Sequence, residues 1–310
     1  MMGWIVLLII VVVIALIPYW QEQARAPSEA FRKKAPGRFA KLSQGVTHYQ
    51  WVGAARGPVI VCIHGLTTPS PVWYAIAGGL ERIGYRILIY DLYGRGFSDA
   101  VSGPQDGDFF VRQLSDLLEH QQIEDDVTLI GYSMGGAIAT AFTAAYPHRV
   151  RRMVLLASAG MWLREDGLTE KCREWPLIGD WLHAVIATRR DKRALRKKLG
   201  KSFEISGIVE LQLAEYRSRG FVPAVLSSRR HMLAADLEPT HREIAKVGVP
   251  VLGIWAEKDD VIPLKSLGTL SQWNRDVAQE VIQGAGHDVA YTHSQEVVAM
   301  LAQVLREDAS

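Results

Sequence analysis

Six residues, Gly131-Tyr132-Ser133-Met134-Gly135-Gly136, constrain this chain more than any other stretch. The β-branched, apolar run Val127-Thr128-Leu129-Ile130 leads into them, and Ala137-Ile138-Ala139-Thr140-Ala141 leads out. A strand entering G-x-S-x-G and a helix leaving it force a sharp turn at the serine, whose hydroxyl is then held clear of the sheet. Gly131 and Gly135 suit positions where neighbouring chain passes too close for a Cβ.

The surroundings of the turn are those of a parallel sheet. Pro58-Val59-Ile60-Val61-Cys62-Ile63 is an unbroken apolar run, as expected of a strand covered on both faces. A helix over about 72–83, the strand Arg86–Tyr90, a helix near 107–122, the turn itself and a strand over 152–157 continue the alternation. Strands alternating with helices predict an α/β architecture, a mostly parallel sheet with helices on both faces. From about 161 to 246 the pattern becomes charged, Trp- and Leu-rich and helical, with no strand. Alternation returns with Val249–Trp255, a helix, Glu280-Val281-Ile282 and an amphipathic helix over 294–305. The segment 161–246 therefore reads as a helical lid inserted into one core, made of residues 42–160 and 247–310.

The first twenty residues are a separate object. Met1 to Ile17 holds no charged side chain and no hydrogen-bonding one apart from the Trp4 indole, and as a helix twenty residues span about 30 Å, the thickness of a bilayer core. Trp4 at one end and Tyr19 and Trp20 at the other suit the two interfaces. A cleaved signal peptide is the rival reading, with Ala24-Arg25-Ala26 imitating a cleavage site; no Lys or Arg precedes the run, and the run exceeds the usual signal core. The expectation is a single-pass transmembrane anchor over 1–20. A basic linker over 21–41 follows, with Arg25, Arg32, Lys33, Lys34, Arg38 and Lys41, and these cations place the catalytic body in the cytoplasm. The body from Lys41 onward is expected to stand without that linker.

Net charge is only +2, so composition gives no reason to expect nucleic acid. Eight of the thirteen residues 189–201 are Lys or Arg and one is acidic, a concentration that predicts lid contact with anionic lipid. Cys62 and Cys172 are too few for a disulfide framework and read as reduced thiols.

A serine hydroxyl needs a positioned base, and the base needs a third group to fix its tautomer. Asp259 and Asp260 follow the strand Val251–Trp255, and His287 follows the last strand in Gly284-Ala285-Gly286-His287-Asp288. Both loops emerge at the sheet edge that Ser133 occupies. His64 ends a strand before the turn and reads as structural; Asp91 and Ser98 read as hydrogen-bonding their own loop together. His48, Tyr291 and His293 read as packing or surface residues, and Trp73, Trp162, Trp175 and Trp181 as core.

With His64-Gly65, Asp91-x-x-Gly94-x-Gly96-x-Ser98, Gly131–Gly136, Asp259 and Gly286-His287 in this order, the chain resembles the α/β-hydrolase superfamily from about residue 46 to 306. The resemblance implies Ser133 as nucleophile, His287 as base and Asp259 as the orienting acid, four residues before Pro263. It implies an oxyanion hole made by the backbone N–H groups of Leu66 and Met134. It further implies hydrolysis of a carboxylic ester without metal or cofactor, with a small lipid ester such as a monoacylglycerol as the favoured type. A dehalogenase or epoxide hydrolase of this kind would carry Asp in place of Ser133. A carbon–carbon bond hydrolase with the same triad, or a non-catalytic ligand-binding relative, are the alternatives.

Overall fold

A computed structural model describes residues 2–33 and 35–307; Lys34 of the basic linker lies outside the described residues. In chain order the helices and strands are α1 (Met2–Gln23), α2 (Glu29–Arg32), β1 (Arg38–Lys41), β2 (Val46–Gly53), β3 (Val59–Ile63), α3 (Tyr74–Glu81), β4 (Arg86–Tyr90), α4 (Gly107–His120), β5 (Val127–Tyr132), α5 (Met134–Ala145) and β6 (Val150–Leu156). Five helices then follow without a strand: α6 (Gly167–Glu174), α7 (Ile178–Leu182), α8 (Thr188–Arg196), α9 (Ile208–Glu215) and α10 (Phe221–Arg230). The chain closes with α11 (Glu238–Val247), β7 (Val251–Ala256), α12 (Lys265–Trp273), β8 (Ala278–Ile282) and α13 (Ser294–Glu307).

The strands form one sheet in the order β1-β2-β4-β3-β5-β6-β7-β8. The β1/β2 and β2/β4 pairs are antiparallel and the rest parallel, so this is an α/β-hydrolase fold with a mostly parallel sheet. Period-two alternation sorts the strand side chains onto two faces. Val61, Ile63, Leu129 and Leu155 pack with Leu114, Ile138 and Phe142 of α4 and α5. Ile60, Cys62, Ile130 and Val154 pack on the other face with Ile76 and Leu80 of α3 and Leu301 of α13. All six residues of β5 are buried, which is why its sequence is β-branched and apolar apart from Thr128 and the Tyr132 hydroxyl.

The expected free linker over 21–41 is corrected. Arg38–Lys41 is an edge strand, pairing Arg38 with Tyr49 and Lys41 with Val46, and Ala40 is fully buried. The strand is four residues long and charged at both ends, which is how an exposed edge avoids pairing with another chain and also why it passes for a charge run. Upstream, the Ala26 N–H donates to the Arg217 carbonyl at 3.2 Å, and the Arg219 N–H donates to the Ala26 carbonyl at 2.8 Å. Arg32 donates to the Phe97 carbonyl and pairs with Asp99. Residues 24–41 are thus laced to the body, and removal of 1–40 takes a strand with it. Of the four tryptophans expected in the core, only Trp73 is fully buried; Trp162 and Trp175 are exposed and Trp181 is half-buried.

The buried pair His48–Asp91 closes the linker onto β4. Its Nδ1–Oδ2 distance is 2.7 Å with both side chains 1% exposed, and the His48 Nε2 meets the Pro36 carbonyl. Burial opposes both charges, but the hydrogen bond and the attraction between the partners outweigh it, against a smaller opposing push from Arg32. His48 therefore titrates above its ordinary value and Asp91 below. The His48 contribution is fully present below its unfolded value and lost as pH rises through the raised folded one. The Asp91 contribution is present above its unfolded value and lost as pH falls. Compared with wild type, His48→Gln should lose most stability between about pH 4 and 6.5, with the deficit shrinking above that window. Melting temperatures across pH check this, and a deficit independent of pH contradicts it.

Candidate active site

Ser133 connects β5 to α5 with φ 54° and ψ −119°, a conformation that costs about 1–3 kcal/mol and persists only where the surroundings over-determine it. They do so here. The Ser133 N–H donates to the Leu156 carbonyl of β6 at 3.0 Å, and the Ser133 carbonyl accepts from the N–H groups of Gly136 and Ala159, both at 3.0 Å. A Cβ on Gly135 would lie 2.0 Å from the Ile63 carbonyl oxygen, and one on Gly131 would lie 2.3 Å from that of Gly135. The two glycines let α5 start against β3 and β5, and the serine is raised by that contact.

Three of the residues singled out from sequence meet at the carboxyl edge of the sheet. His287 Nε2 is 3.1 Å from Ser133 Oγ, and His287 Nδ1 is 2.8 Å from Asp259 Oδ2. The other Asp259 oxygen accepts from the backbone N–H groups of Val261 and Ile262, both at 2.8 Å. The Asp259 side chain is 1% exposed and that of His287 is 22% exposed, so the acid is sealed while the imidazole reaches the cavity. With Nδ1–H donating to the carboxylate, Nε2 carries the lone pair facing the hydroxyl, as proton abstraction requires. Asp260 borders the cavity beside this relay, without Asp259's bond to the imidazole.

Leu66 follows β3, and a Cβ on neighbouring Gly65 would lie 3.3 Å from the Ser133 Cβ, so this loop abuts the nucleophile. Met134 is the first residue of α5, where backbone N–H groups have no acceptor inside the helix. Fully buried His64 donates from Nδ1 to the Gly65 carbonyl at 2.8 Å and accepts at Nε2 from the Leu92 N–H at 2.9 Å. Burial pulls its pKa down to about 4, so it is a neutral strut, as its place before the turn suggested. Asp91 and Ser98 brace their own loop: Ser98 Oγ donates to the Asp91 carbonyl at 2.7 Å, and Asp91 accepts from the Phe97 and Ser70 N–H groups.

A cavity of about 330 Å³ opens over Ser133 and His287. Leu163, Leu195, Leu233 and Val261 give it an apolar wall, and Lys198 and Arg229 bring charge to its rim. Tyr132, Tyr291 and Arg95 matter more than the sequence reading allowed. The Tyr132 ring stacks on His287 at 5.5 Å and its hydroxyl donates to the His287 carbonyl at 2.6 Å. The position beside the serine was visible in sequence; the contact, which comes from β8's distant loop, was not. Tyr291, read as a packing or surface residue, is buried and borders the cavity.

The expected basic face over 189–201 is divided. Arg190 pairs with Asp166 and Asp191, and Lys198 turns to Asp288. Lys192 lies over the Tyr216 ring in the company of Arg25, Arg189, Arg196 and Arg217, whose charges add to burial in lowering its pKa.

The alpha/beta hydrolase fold family matches residues 58–294. The 2-hydroxy-6-oxo-2,4-heptadienoate hydrolase of Pseudomonas putida is 27% identical over 277 residues, 85% of this chain and 94% of that protein. The pimeloyl-acyl-carrier-protein methyl ester esterase of Aliivibrio fischeri is 24% identical over 271 residues, 85% of this chain and 99% of that one. The solved structure of a membrane phospholipase A, a bacterial virulence factor, superposes with a TM-score of 0.71 at 18% identity, covering 99% of this chain and 97% of that chain.

Proposed function

The chain belongs to the α/β-hydrolase family, and we propose that within it the protein is a membrane-anchored serine hydrolase of carboxylic esters, with small lipid esters such as monoacylglycerols as its substrate type. The unbroken contact Ser133–His287–Asp259 carries this reading. Ser133 Oγ attacks the ester carbonyl while His287 Nε2 takes its proton, and Asp259 stabilises the imidazolium. The Leu66 and Met134 N–H groups receive the oxyanion; a donor of this kind is worth about 3–4 kcal/mol in the transition state. Collapse of the tetrahedral intermediate breaks the bond to the alcohol, which leaves with the proton from His287. Water then attacks the acyl-enzyme along the same path and returns Ser133.

The ester reading draws support from the likeness to the methyl ester esterase. A fluorophosphonate should label the wild-type protein at one site, and p-nitrophenyl esters of graded chain length should be turned over. A protein that neither labels nor hydrolyses any of them is not this enzyme. The likeness to the heptadienoate hydrolase keeps a second reading in play, cleavage of a carbon–carbon bond by the same three residues. Faster turnover of a vinylogous diketone than of every simple ester would favour it.

For the membrane, the support is α1, whose 22 residues reach a mean hydropathy of 2.8 over their most apolar stretch and none of which is buried. Trp181 of the lid donates from Nε1 to the Ile14 carbonyl at 2.8 Å, while Leu177 and Ile178 beside it are 84% and 61% exposed. Ile14 lies about 9 Å along the helix from Trp20, so this part of the lid sits at acyl-chain depth when Trp20 marks the interface. The cations around Lys192 then face the headgroups, on the cytoplasmic side by the excess of positive charge after the span. With 1–20 removed, changing Arg189, Lys192 and Arg196 to Gln should weaken binding to anionic vesicles by tenfold or more, each cation being worth about 1 kcal/mol there. Binding unchanged by the substitutions or by salt contradicts a headgroup contact.

A further inference from the structure

The loop after β4 holds a cation that the catalytic relay does not use. Arg95 is 1% exposed, and each of its five N–H donors meets an acceptor. Nε donates to the Leu66 carbonyl at 3.1 Å. Nη1 donates to the Tyr93 carbonyl at 2.9 Å and to Gln105 Oε1. Nη2 donates to the Ala224 carbonyl at 3.3 Å and to Ser228 Oγ at 2.8 Å, both on lid helix α10. Glu215, at the end of lid helix α9, acts on this charge from nearby; burial raises the pKa of its carboxyl group to about 8, and it accepts from the Gly96 N–H at 2.7 Å. Contact with the lid is close throughout: a Cβ on Gly94 would lie 2.5 Å from that of Ala224.

We propose that Arg95 is a positioning residue for the oxyanion site, aiming the Leu66 amide at Ser133 and making that aim depend on the seating of the lid. The planar trans peptide carries the argument, because its N–H and C=O point in opposite directions and turn together. The Leu66 N–H shares a peptide with the Gly65 carbonyl, which His64 holds. The Leu66 carbonyl belongs to the next peptide, which Arg95 holds. The N–H lies in the first plane, and pinning the second holds the Leu66 dihedrals that join the two, so the first plane cannot turn about its remaining freedom. His64 pins its side from within the core, whereas Arg95 pins the other with a group whose remaining contacts include the lid. A lid displaced from its seat withdraws the Ala224 and Ser228 acceptors together. The guanidinium then has reason to leave Leu66.

This rests on the proposed hydrolase reading, and the test keeps the two apart. Full-length Arg95→Lys and Ser228→Ala are compared with wild type by melting temperature, by active-site titration with a fluorophosphonate, and by kcat and KM on p-nitrophenyl butyrate. A lysine cannot span these five acceptors, so kcat per titrated site should fall about tenfold or more, a fraction of the cost of deleting an oxyanion donor, with KM within about twofold. The phosphonylation rate should fall in parallel, because the phosphonyl oxygen uses the same amides. Ser228→Ala, which removes one lid acceptor, should show the same kcat-only pattern at about two- to fivefold. Arg95→Lys with a lower melting temperature but wild-type kcat per site and wild-type phosphonylation makes Arg95 a packing residue only and overturns the inference. If Arg95→Lys does not fold, wild-type kcat in Ser228→Ala overturns it. Wild-type protein that neither labels nor turns over ester overturns the hydrolase reading, and this one with it.

Discussion

Ser133→Ala and His287→Ala should each abolish ester turnover, by about 10⁴- to 10⁶-fold in kcat, while the melting transition stays in place. The two residues act through one 3.1 Å contact, so losing either approaches the cost of losing both. Asp259→Asn should cost about 10⁴, because an amide offering its N–H to Nδ1 stabilises the wrong tautomer. Asp260→Asn should cost less than tenfold, since Asp259 alone bonds the imidazole and is itself locked by Val261 and Ile262. Steady-state kinetics on a p-nitrophenyl ester, with circular dichroism to confirm folding, decides it. Greater damage from Asp260→Asn would reassign the acid.

Gly135→Ala should also be strongly damaging, from a position that touches no substrate. The added methyl would sit 2.0 Å from the Ile63 carbonyl oxygen and 2.8 Å from that of His64, and neither backbone atom can rotate away. Relief requires α5 to back off β3, which drags Ser133 and Met134 away from Leu66. The expected result is a loss of about 1–3 kcal/mol in stability, as for overpacking elsewhere, and a fall of at least 100-fold in kcat. Gly268→Ala is the control: it lies in α12 with nothing within 4 Å, so a methyl there should stabilise by about 0.5–1 kcal/mol. A fully active, fully stable Gly135→Ala would mean that the elbow has slack the close contacts deny.

What was legible in the sequence was what local chemistry dictates. The run around Ser133 announces itself because a strained serine between close-packed chains demands glycines at fixed offsets, and β5 is buried throughout and mostly apolar because both its faces are covered. Asp259 and His287 were legible by their place after strands. What escaped was long-range and low in pattern. Strand β1 is four residues of a charge run until Tyr49 and Val46 pair with it. Tyr132 cannot be tied to His287 without closing 155 residues of chain. The cations of 189–201 form one block in sequence, but their helix turns them toward Asp166, Asp288 and Arg25 in different directions.

The separation of 154 positions between Ser133 and His287 also sets an order of events during synthesis. The ribosome delivers α1 first, then the elbow, then the whole lid, and the base only after β8. An emerging chain that has already folded its nucleophile turn therefore has no partner to ionise the serine. Hydrolytic competence arrives in one late step, when the loop bearing His287 docks under Tyr132. A nascent chain with a finished elbow is thereby inert until every element up to β8 is in place.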